Sequence, residues 1–490
     1  MAIPTEQAET AALLKRLSDA DPIETHISAV FVGAHEVFKL RKAVRLDFVD
    51  FSTLAERRRT ALRELELNAP GAPGLYRDVV AVTRGPDGTS ALGGNGKPVD
   101  YVLRMARVPG PDFLEAVLTA GELPPALLDG LGDAVAVSHT AAEPGRHDPE
   151  ALRGVALGNA KAALSAGLDP PVVRAWLEPV LAEIDAQAPL LTRRAQAGFV
   201  RRAHGDLHLG NLCLWQGRPT LFDALEFDED LATIDTGYDL AFLLMDLDVR
   251  AGRAAANRVL NRYVARTWDA GFLAALPLFT ALRAMVRAHV EASRLHPGLS
   301  QRYLHAAQKA LQTVPAVVLA VGGLQGTGKS TLARAQAPGL GRAPGALVLR
   351  SDEIRKRQHG VAPERPLPRQ AYDDAASHAV FAAVFEGVAA AAAAGHAAVA
   401  DATFIDPAHR RAVAAAAGRV PFLGVWLHAP MAVLESRIAA RAGDASDADL
   451  AVLRSSAAHD PGPGDWLAVD ATDAATALRC VQAALARVSC

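Results

Sequence analysis

The chain has 490 residues, with 51 Lys and Arg against 54 Asp and Glu, for a formal net charge of −3. Half of it is hydrophobic and 21% is charged, which excludes wholesale disorder; at about 100–200 residues per domain the length suggests two to four folded units. Balanced charge argues against bulk electrostatic attachment to nucleic acid or an anionic membrane, and three cysteines (Cys213, Cys480, Cys490) without a CxxC pair argue against a disulfide scaffold or structural zinc.

The N-terminus MAIPTEQAETAALLKRL lacks a basic start followed by an apolar stretch, so no secretory signal is expected and the cytoplasm is the expected location. Residues 23–49 alternate as short strands around Gly33-Ala34-His35, and residues 52–68 have helical spacing through Leu54, Leu62 and Leu65. Residues 76–84 and 99–107 return to strand patterns, predicting a twisted antiparallel sheet with one helix. The Arg57-Arg58-Arg59 run reads as a solvated helix face. From Phe113 to about Gln312 helical periodicity dominates, broken by a strand-and-loop island from Phe199 to Phe227.

Around Pro315 the character changes. AVVLAVGG is a continuous apolar run of the kind a buried parallel strand needs, and GALVLRSD, HAAVADATF, PFLGVWLHA and WLAVDA repeat it between helical segments. Strands alternating with helices imply a parallel sheet covered on both faces. The alanine-rich stretch Ala379–Ala400, interrupted by Glu386 and His396, reads as a helix of a soluble domain. The expected domains are residues 1–313 and 314–490, packed together because no flexible linker separates them.

The run Gly323-Leu324-Gln325-Gly326-Thr327-Gly328-Lys329-Ser330, followed by Thr331, satisfies G-x-x-x-x-G-K-[ST] between an apolar strand and a helix. Glycines let backbone N–H groups curl round the β-phosphate of ATP, and the helix start favours an anion. Lys329 can reach the β- and γ-phosphates, and the Ser330 hydroxyl can ligate Mg2+. Asp352 and Arg355 follow the second strand of this half, at the sheet edge where ligands of open α/β folds bind. Asp401 ends another strand, and Arg437 and Arg441 lie four apart on one helix face. These supply a base for an acceptor hydroxyl, a magnesium-side carboxylate, and arginines over the phosphates. The set resembles the small P-loop kinases of the polynucleotide kinase, gluconate kinase and zeta-toxin type, over roughly residues 315–490. The resemblance implies Asp352 as base, Arg355 as an acceptor-side contact, and Arg437 and Arg441 as lid residues.

The island His204-Gly205-Asp206-Leu207-His208-Leu209-Gly210-Asn211 is followed by two strands and Asp223. An Asp, an Asn five residues on, and an Asp beyond a hairpin form the layout of a kinase catalytic loop. Asp206 would accept the proton of the attacking hydroxyl, while Asn211 and Asp223 would hold Mg2+ against the phosphates. With the later IDTGYDLAFLL, this resembles the aminoglycoside phosphotransferase and choline kinase group, a protein-kinase-like two-lobe α+β fold. That resemblance makes Asp239 and His204 braces of the loop and leaves His208 at a variable position. It also implies Lys39 on the α/β-phosphates, Glu64 as its partner, and Met105 at the hinge against which adenine lies; Lys42 and Glu66 are the competing assignments.

In its order of parts the chain resembles a tandem bacterial family of aminoglycoside phosphotransferase-like kinases fused to P-loop ATP-binding domains. ETHISAVFVG, VFKLRKAV, LDFVDFSTLAERR and HGDLHLGNLCL carry that likeness. The expected function is an ATP- and Mg2+-dependent phosphotransferase acting on a hydroxyl of a small sugar- or amino-sugar-like metabolite, with a second P-loop kinase or ATPase site. A nucleotide-sensing regulatory ATPase and a nucleic-acid 5′-hydroxyl kinase are the alternatives; neutral charge and 5% aromatic content count against the latter. Glu226, Asp228, Glu229 and Asp230 form either an attractor for a cationic acceptor or an ordinary solvated acidic loop.

Overall fold

The computed structural model describes residues 2–46, 49–146, 150–440 and 445–488, so Arg441 and Cys490 lie outside the described residues. In chain order, the N-terminal strands and helices are α1 (Ala8–Ser18), β1 (Ile23–Glu24), β2 (Ser28–Val32), β3 (Glu36–Arg41), the short pair β4 (Arg45–Leu46) and β5 (Val49–Asp50), α2 (Leu54–Asn68), β6 (Tyr76–Arg84), β7 (Ser90–Leu92) and β8 (Lys97–Ala106). Helices α3 (Leu114–Ala120), α4 (Pro125–Ala141), α5 (Ala151–Ser165) and α6 (Pro170–Gln196) follow. Then come β9 (Val200–Arg202), the hairpin β10 (Leu212–Trp215) and β11 (Arg218–Leu221), α7 (Glu229–Ala232) and β12 (Thr233–Asp235). Four helices complete this half: α8 (Thr236–Ala251), α9 (Arg253–Thr267), α10 (Leu276–Ser293) and α11 (Pro297–Lys309). The chain forms two compact units, Met1–His147 with Ala195–Leu240, and Asp148–Arg194 with Ala241–Cys490.

In the first unit the N-terminal strands make an antiparallel sheet of order β1-β2-β3-β8-β6-β7. β2 and β3 pair with Phe31 opposite Phe38 and Ala29 opposite Leu40, and Leu13 and Leu14 of α1 complete the same apolar cluster. β7, inside the turn-rich stretch, and α1 were not anticipated. Helix α2 starts at Thr53, whose side chain caps the Glu56 N–H at 3.2 Å. Its buried stripe is Arg57, Thr60, Ala61, Glu64 and Asn68, spaced three and four apart but mostly polar. The solvated reading of Arg57 is therefore corrected. Its guanidinium is buried, bonded to Asp100 at 2.9 Å and to the Phe51 and Ser52 carbonyls at 3.0 and 3.1 Å. A 100° step per residue turns only one of three adjacent arginines inward.

The P-loop half adds β13 (Val318–Gly323), α12 (Lys329–Gln336), β14 (Leu347–Arg350), α13 (Ser351–Gln358), α14 (Asp374–Ala393), β15 (Ala398–Asp401), α15 (Pro407–Ala416), β16 (Phe422–His428), α16 (Met431–Ala439), α17 (Leu450–Ala457), β17 (Leu467–Asp470) and α18 (Ala474–Val488). Its five strands are all parallel, in the order β14-β15-β13-β16-β17, around the fully buried Leu319, Val321, Val399 and Val425. Register places Asp401 beside Val321 on one side and Arg350 on the other, so the C-terminal strand ends converge on the glycine loop. Helix α14 is long and apolar enough to cross a membrane by length and composition; it packs on α13, α15, β14 and β15, burying Val380, Val384 and Val388.

Helix α9 belongs to the same compact unit and covers the open edge of β14. Edge strands carry unpaired N–H and C=O groups that need a partner. Here two asparagines one helical turn apart supply it. Asn257 and Asn261 donate to the Ala346 carbonyl at 3.0 and 3.2 Å, and Asn261 accepts from the Val348 N–H at 2.6 Å. Asn261→Ala strips the Val348 N–H of its partner and leaves the Ala346 carbonyl to Asn257, which costs about 1–3 kcal/mol. A lower urea midpoint for the P-loop half is expected; an unchanged midpoint would count against this edge-capping role.

Candidate active sites

The first site is built on β3, α2 and the loop after β9. β3 projects Lys39 toward α2, and its Nζ lies 2.7 Å from Glu64 Oε1 and 2.5 Å from Asp223 Oδ1. Lys42 instead bonds Glu24 at 2.7 Å, and Glu66 pairs with Arg63 at 2.8 Å. Burial alone would lower the Lys39 ammonium pKa, but Asp223 and Glu64 raise it above its ordinary value. The Asp223 carboxyl is below its usual range because Lys39 outweighs desolvation. Both groups are thus held charged at neutral pH.

Asp223 adopts a left-handed backbone, φ 60°, unusual for a residue with a side chain. Two groups hold it there. The Asp223 N–H donates to the Tyr76 hydroxyl at 2.9 Å, and the next N–H, of Ala224, donates to Asn68 Oδ1 at 2.9 Å. Neither Tyr76 nor Asn68 was singled out from sequence.

Asp239, at the start of α8, is fully buried and takes the loop's backbone on its carboxylate. His204 N–H and Gly205 N–H donate to it at 3.1 and 2.9 Å, and His139 Nε2 lies 3.1 Å away. The His204 ring spans Phe222 O at 2.9 Å and the Asp206 N–H at 3.3 Å. Burial lowers its pKa, so the neutral ring donates from Nε2 and accepts at Nδ1, a tautomer assigned from the hydrogen bonds. Asn211 Nδ2 donates at 2.9 Å to both the backbone carbonyl and the Oδ2 of Asp206. His208 Nε2 stands 3.5 Å from the same Oδ2.

Glu64, Asp223 and Glu226 bring ligand oxygens within 4.8 Å of one another. Lys39 and Arg41 already neutralise Glu64 and Glu226, leaving Asp223, whose side chain is 40% exposed, as the oxygen ligand a hard cation can reach. Glu226 is buried against Arg41, so the solvated acidic loop is corrected there, whereas Glu229 pairs with Arg63 and Arg202 on a side chain still 52% exposed. Burial pushes the Glu226 carboxyl up to about 7 despite Arg41. Met105, near the end of β8, pairs in register with Val37 and Tyr76 and packs beside Leu103 and Cys213.

The second site is the cavity at the C-terminal end of the parallel sheet, about 1260 Å³, lined by Gln325 to Thr331, Asp352, Arg355, Asp401 and Arg437. A Cβ at Gly323, φ 135°, would stand 2.4 Å from the Leu427 carbonyl, and one at Gly326, φ 83°, 2.9 Å from that of Leu434. Only glycine follows this path. Leu324 packs into a small apolar cluster with Leu434 and Leu453, and its carbonyl accepts from Lys329 Nζ at 2.9 Å.

Asp401 is buried, and burial raises its carboxyl pKa, moderated by Arg350, Lys329 and a hydrogen bond with the Ser330 hydroxyl. Its Oδ2 is buried without a hydrogen-bond partner, 3.6 Å from Arg350 Nε. A carboxylate oxygen in that state beside a hydroxyl fits Mg2+, which takes oxygen ligands. Asp352 opens α13, its Oδ2 3.9 Å from Arg350 Nη2. Arg355 donates to the Ala371 carbonyl at 2.7 Å and lies over the Tyr372 ring at 4.7 Å. Arg437 donates to the carbonyls of Gly326, Ala471 and Thr472 at 3.4, 3.0 and 2.9 Å.

Sequence reasoning passed over Arg350, Tyr372 and Asp447, which line the same cavity. Asp447 accepts from Lys356 at 2.5 Å, Tyr372 at 2.6 Å and the Leu367 N–H at 2.9 Å. Arg350 was within reach, as the last residue of a strand whose neighbours were read as functional.

Residues 72–276 match the phosphotransferase enzyme family, and residues 318–460 match a family described as an AAA domain. The chain is 30% identical over 466 residues to Uncharacterized protein Rv2004c of Mycobacterium tuberculosis (strain ATCC 25618 / H37Rv), an alignment covering 91% of this chain and 90% of that one. Uncharacterized protein Mb2027c of Mycobacterium bovis matches to the same extent. Among solved structures, a gluconokinase from Sinorhizobium meliloti 1021 is 24% identical, covering 36% of this chain and 95% of its own, with a TM-score of 0.27. A choline kinase from Cryptosporidium parvum Iowa II is 14% identical, covering 61% and 95%, with a TM-score of 0.40.

Proposed function

The chain belongs to the family of the Mycobacterium tuberculosis protein Rv2004c, and on that premise we propose that it transfers phosphate from ATP to a hydroxyl of a small sugar- or amino-sugar-like metabolite in the cytoplasm. Its phosphotransferase-family domain makes it an enzyme of the kinase class, and a P-loop domain follows. The observation that carries the reading is the meeting of Lys39, Glu64 and Asp223, beside an Asp206 loop strapped to Asp239.

In this reading Asp206 takes the proton of the acceptor hydroxyl, Asn211 orients Asp206 and offers an amide oxygen, and Lys39 turns from Asp223 to the α/β-phosphates. Mg2+, when bound, supplies charge neutralisation on the phosphates; Asn211 and Asp223 would hold it. In the second site Gln325 to Thr331 cradle the phosphates with Lys329, Ser330 and Asp401 would hold Mg2+, and Asp352 and Arg355 face the acceptor. Phosphoryl transfer depends on positioning and charge more than on covalent chemistry, so these groups suffice. Near-neutral charge and few aromatics favour a small acceptor over a nucleic-acid strand.

The test follows ATP turnover against sugars, amino sugars, aminoglycosides and 5′-hydroxyl oligonucleotides. Asp206→Asn is expected to lower the acceptor-dependent rate by about 10²–10⁴-fold, the usual worth of a positioned base. Undiminished transfer to every acceptor would reject Asp206 as the base, and turnover indifferent to every acceptor would favour a nucleotide-sensing ATPase.

A further inference from the structure

We infer that Arg41, paired with Glu226, is a positioning residue of the first site, keeping Glu64 in place while Lys39 turns to the nucleotide. This rests on the reading of that site as one for Mg·ATP. Alternation along β3 puts Lys39 and Arg41 on one face, two residues apart. They divide Glu64 between them: Lys39 Nζ sits 2.7 Å from Oε1, and Arg41 Nη2 bonds Oε2. Arg41 also pairs with Glu226 and donates from Nη1 to Ser28 Oγ at 2.8 Å.

Exposure is graded along this chain of charges. The Asp223 side chain is 40% exposed, Lys39 12%, and Glu64, Arg41 and Glu226 no more than 4%. Among these residues, a ligand therefore meets the Asp223 end first. Phosphates draw the Lys39 ammonium off Asp223, which is then free to face a metal, while Glu64 keeps its bond to the lysine. A buried carboxylate held by that one cation alone would shift with it. Arg41 on the other oxygen holds Glu64 in place.

Glu226 completes the arrangement. Three carboxylates (Glu64, Asp223, Glu226) face two cations (Lys39, Arg41), and Glu226 gives Arg41 a counter-charge of its own. Arg41 thus bridges two carboxylates and leaves Glu64 Oε1 to Lys39. The planar guanidinium spreads its donors over two nitrogens, Nη2 on the carboxylates and Nη1 on Ser28, whereas a lysine here would be a single point charge.

The test uses the full chain with Lys329→Ala silencing the P-loop site, titrated calorimetrically with Mg·ATP well below the unfolding temperature. Arg41→Met is expected to weaken binding by about tenfold, and adding Lys39→Ala should then cost less than it does alone, because both act through Glu64. Arg41→Lys keeps the buried charge and is expected to weaken binding by about threefold. Should Arg41→Met fail to fold, the lysine variant decides. Binding unchanged in the Arg41 variants, or a Lys39→Ala loss that adds in full to that of Arg41→Met, would overturn the inference. Unchanged binding in Lys39→Ala alone would instead reject the underlying Mg·ATP reading.

Discussion

Replacing Asp239 with alanine is expected to destabilise the first unit by about 3–5 kcal/mol and to cut acceptor-dependent phosphorylation by about 100-fold. The carboxylate is fully buried and holds two consecutive backbone N–H groups, of His204 and Gly205, with His139 as a third neighbour. Its removal leaves those donors buried without acceptors, at about 1–3 kcal/mol each. The loss is therefore large before any effect on the reaction is counted. The kinetic effect follows from distance along the chain. Asp206 lies one residue beyond Gly205, so slack at Asp239 displaces the base itself. Asp239→Asn should be milder in packing but still harmful, since its amide presents a donor to one of the two N–H groups. Urea unfolding and steady-state rates check both variants; wild-type values in either would mean the loop is held elsewhere.

Lys329→Ala should abolish measurable nucleotide binding at the P-loop site while leaving the first site intact. Lys329 Nζ rests on the Leu324 carbonyl, inside the loop that would wrap the phosphates, and it faces Asp401. A charged hydrogen bond truncated in such a site costs about 2–5 kcal/mol, or roughly 30- to 5000-fold in affinity. Little folding penalty is expected, because the carbonyl that Lys329 bonds belongs to its own loop. Calorimetric titration distinguishes this from global damage, which would reduce binding at both sites together. Equal weakening of both would show that Lys329 acts through the fold.

Both sites were legible wherever chemistry fixes the spacing of residues along the chain. The glycine loop needs its glycines and lysine within eight positions, and the catalytic loop needs Asp206 and Asn211 five apart. The supporting residues are scattered because three-dimensional proximity, not spacing, selects them. Tyr76 reaches Asp223 across 147 residues, and His139 reaches Asp239 across 100. Nothing local marks either one.

Helix α2 carried a signal that could have been used. Arg57, Thr60, Ala61, Glu64 and Asn68 repeat at three and four residues, a buried stripe that is polar where an ordinary amphipathic helix is apolar. A polar inner stripe marks a helix packed on charges, and it distinguishes Glu64 from the exposed Glu66 without a structure. Arg41 had no such mark: beside Lys39 and Lys42 it looked like one more basic residue at a strand end. The five parallel strands of the second half were readable as apolar runs, whereas the role of α9 in closing the β14 edge depends on Asn257 and Asn261, two polar residues in a helix that nothing local singles out.

Two separate phosphate-binding sites in one chain would show as the number of Mg·ATP molecules that each chain binds. Calorimetric titration should give two for the wild type, one for Lys329→Ala, and two of which one is weakened for Lys39→Ala. A wild-type stoichiometry of one, abolished by either substitution, would contradict two sites per chain.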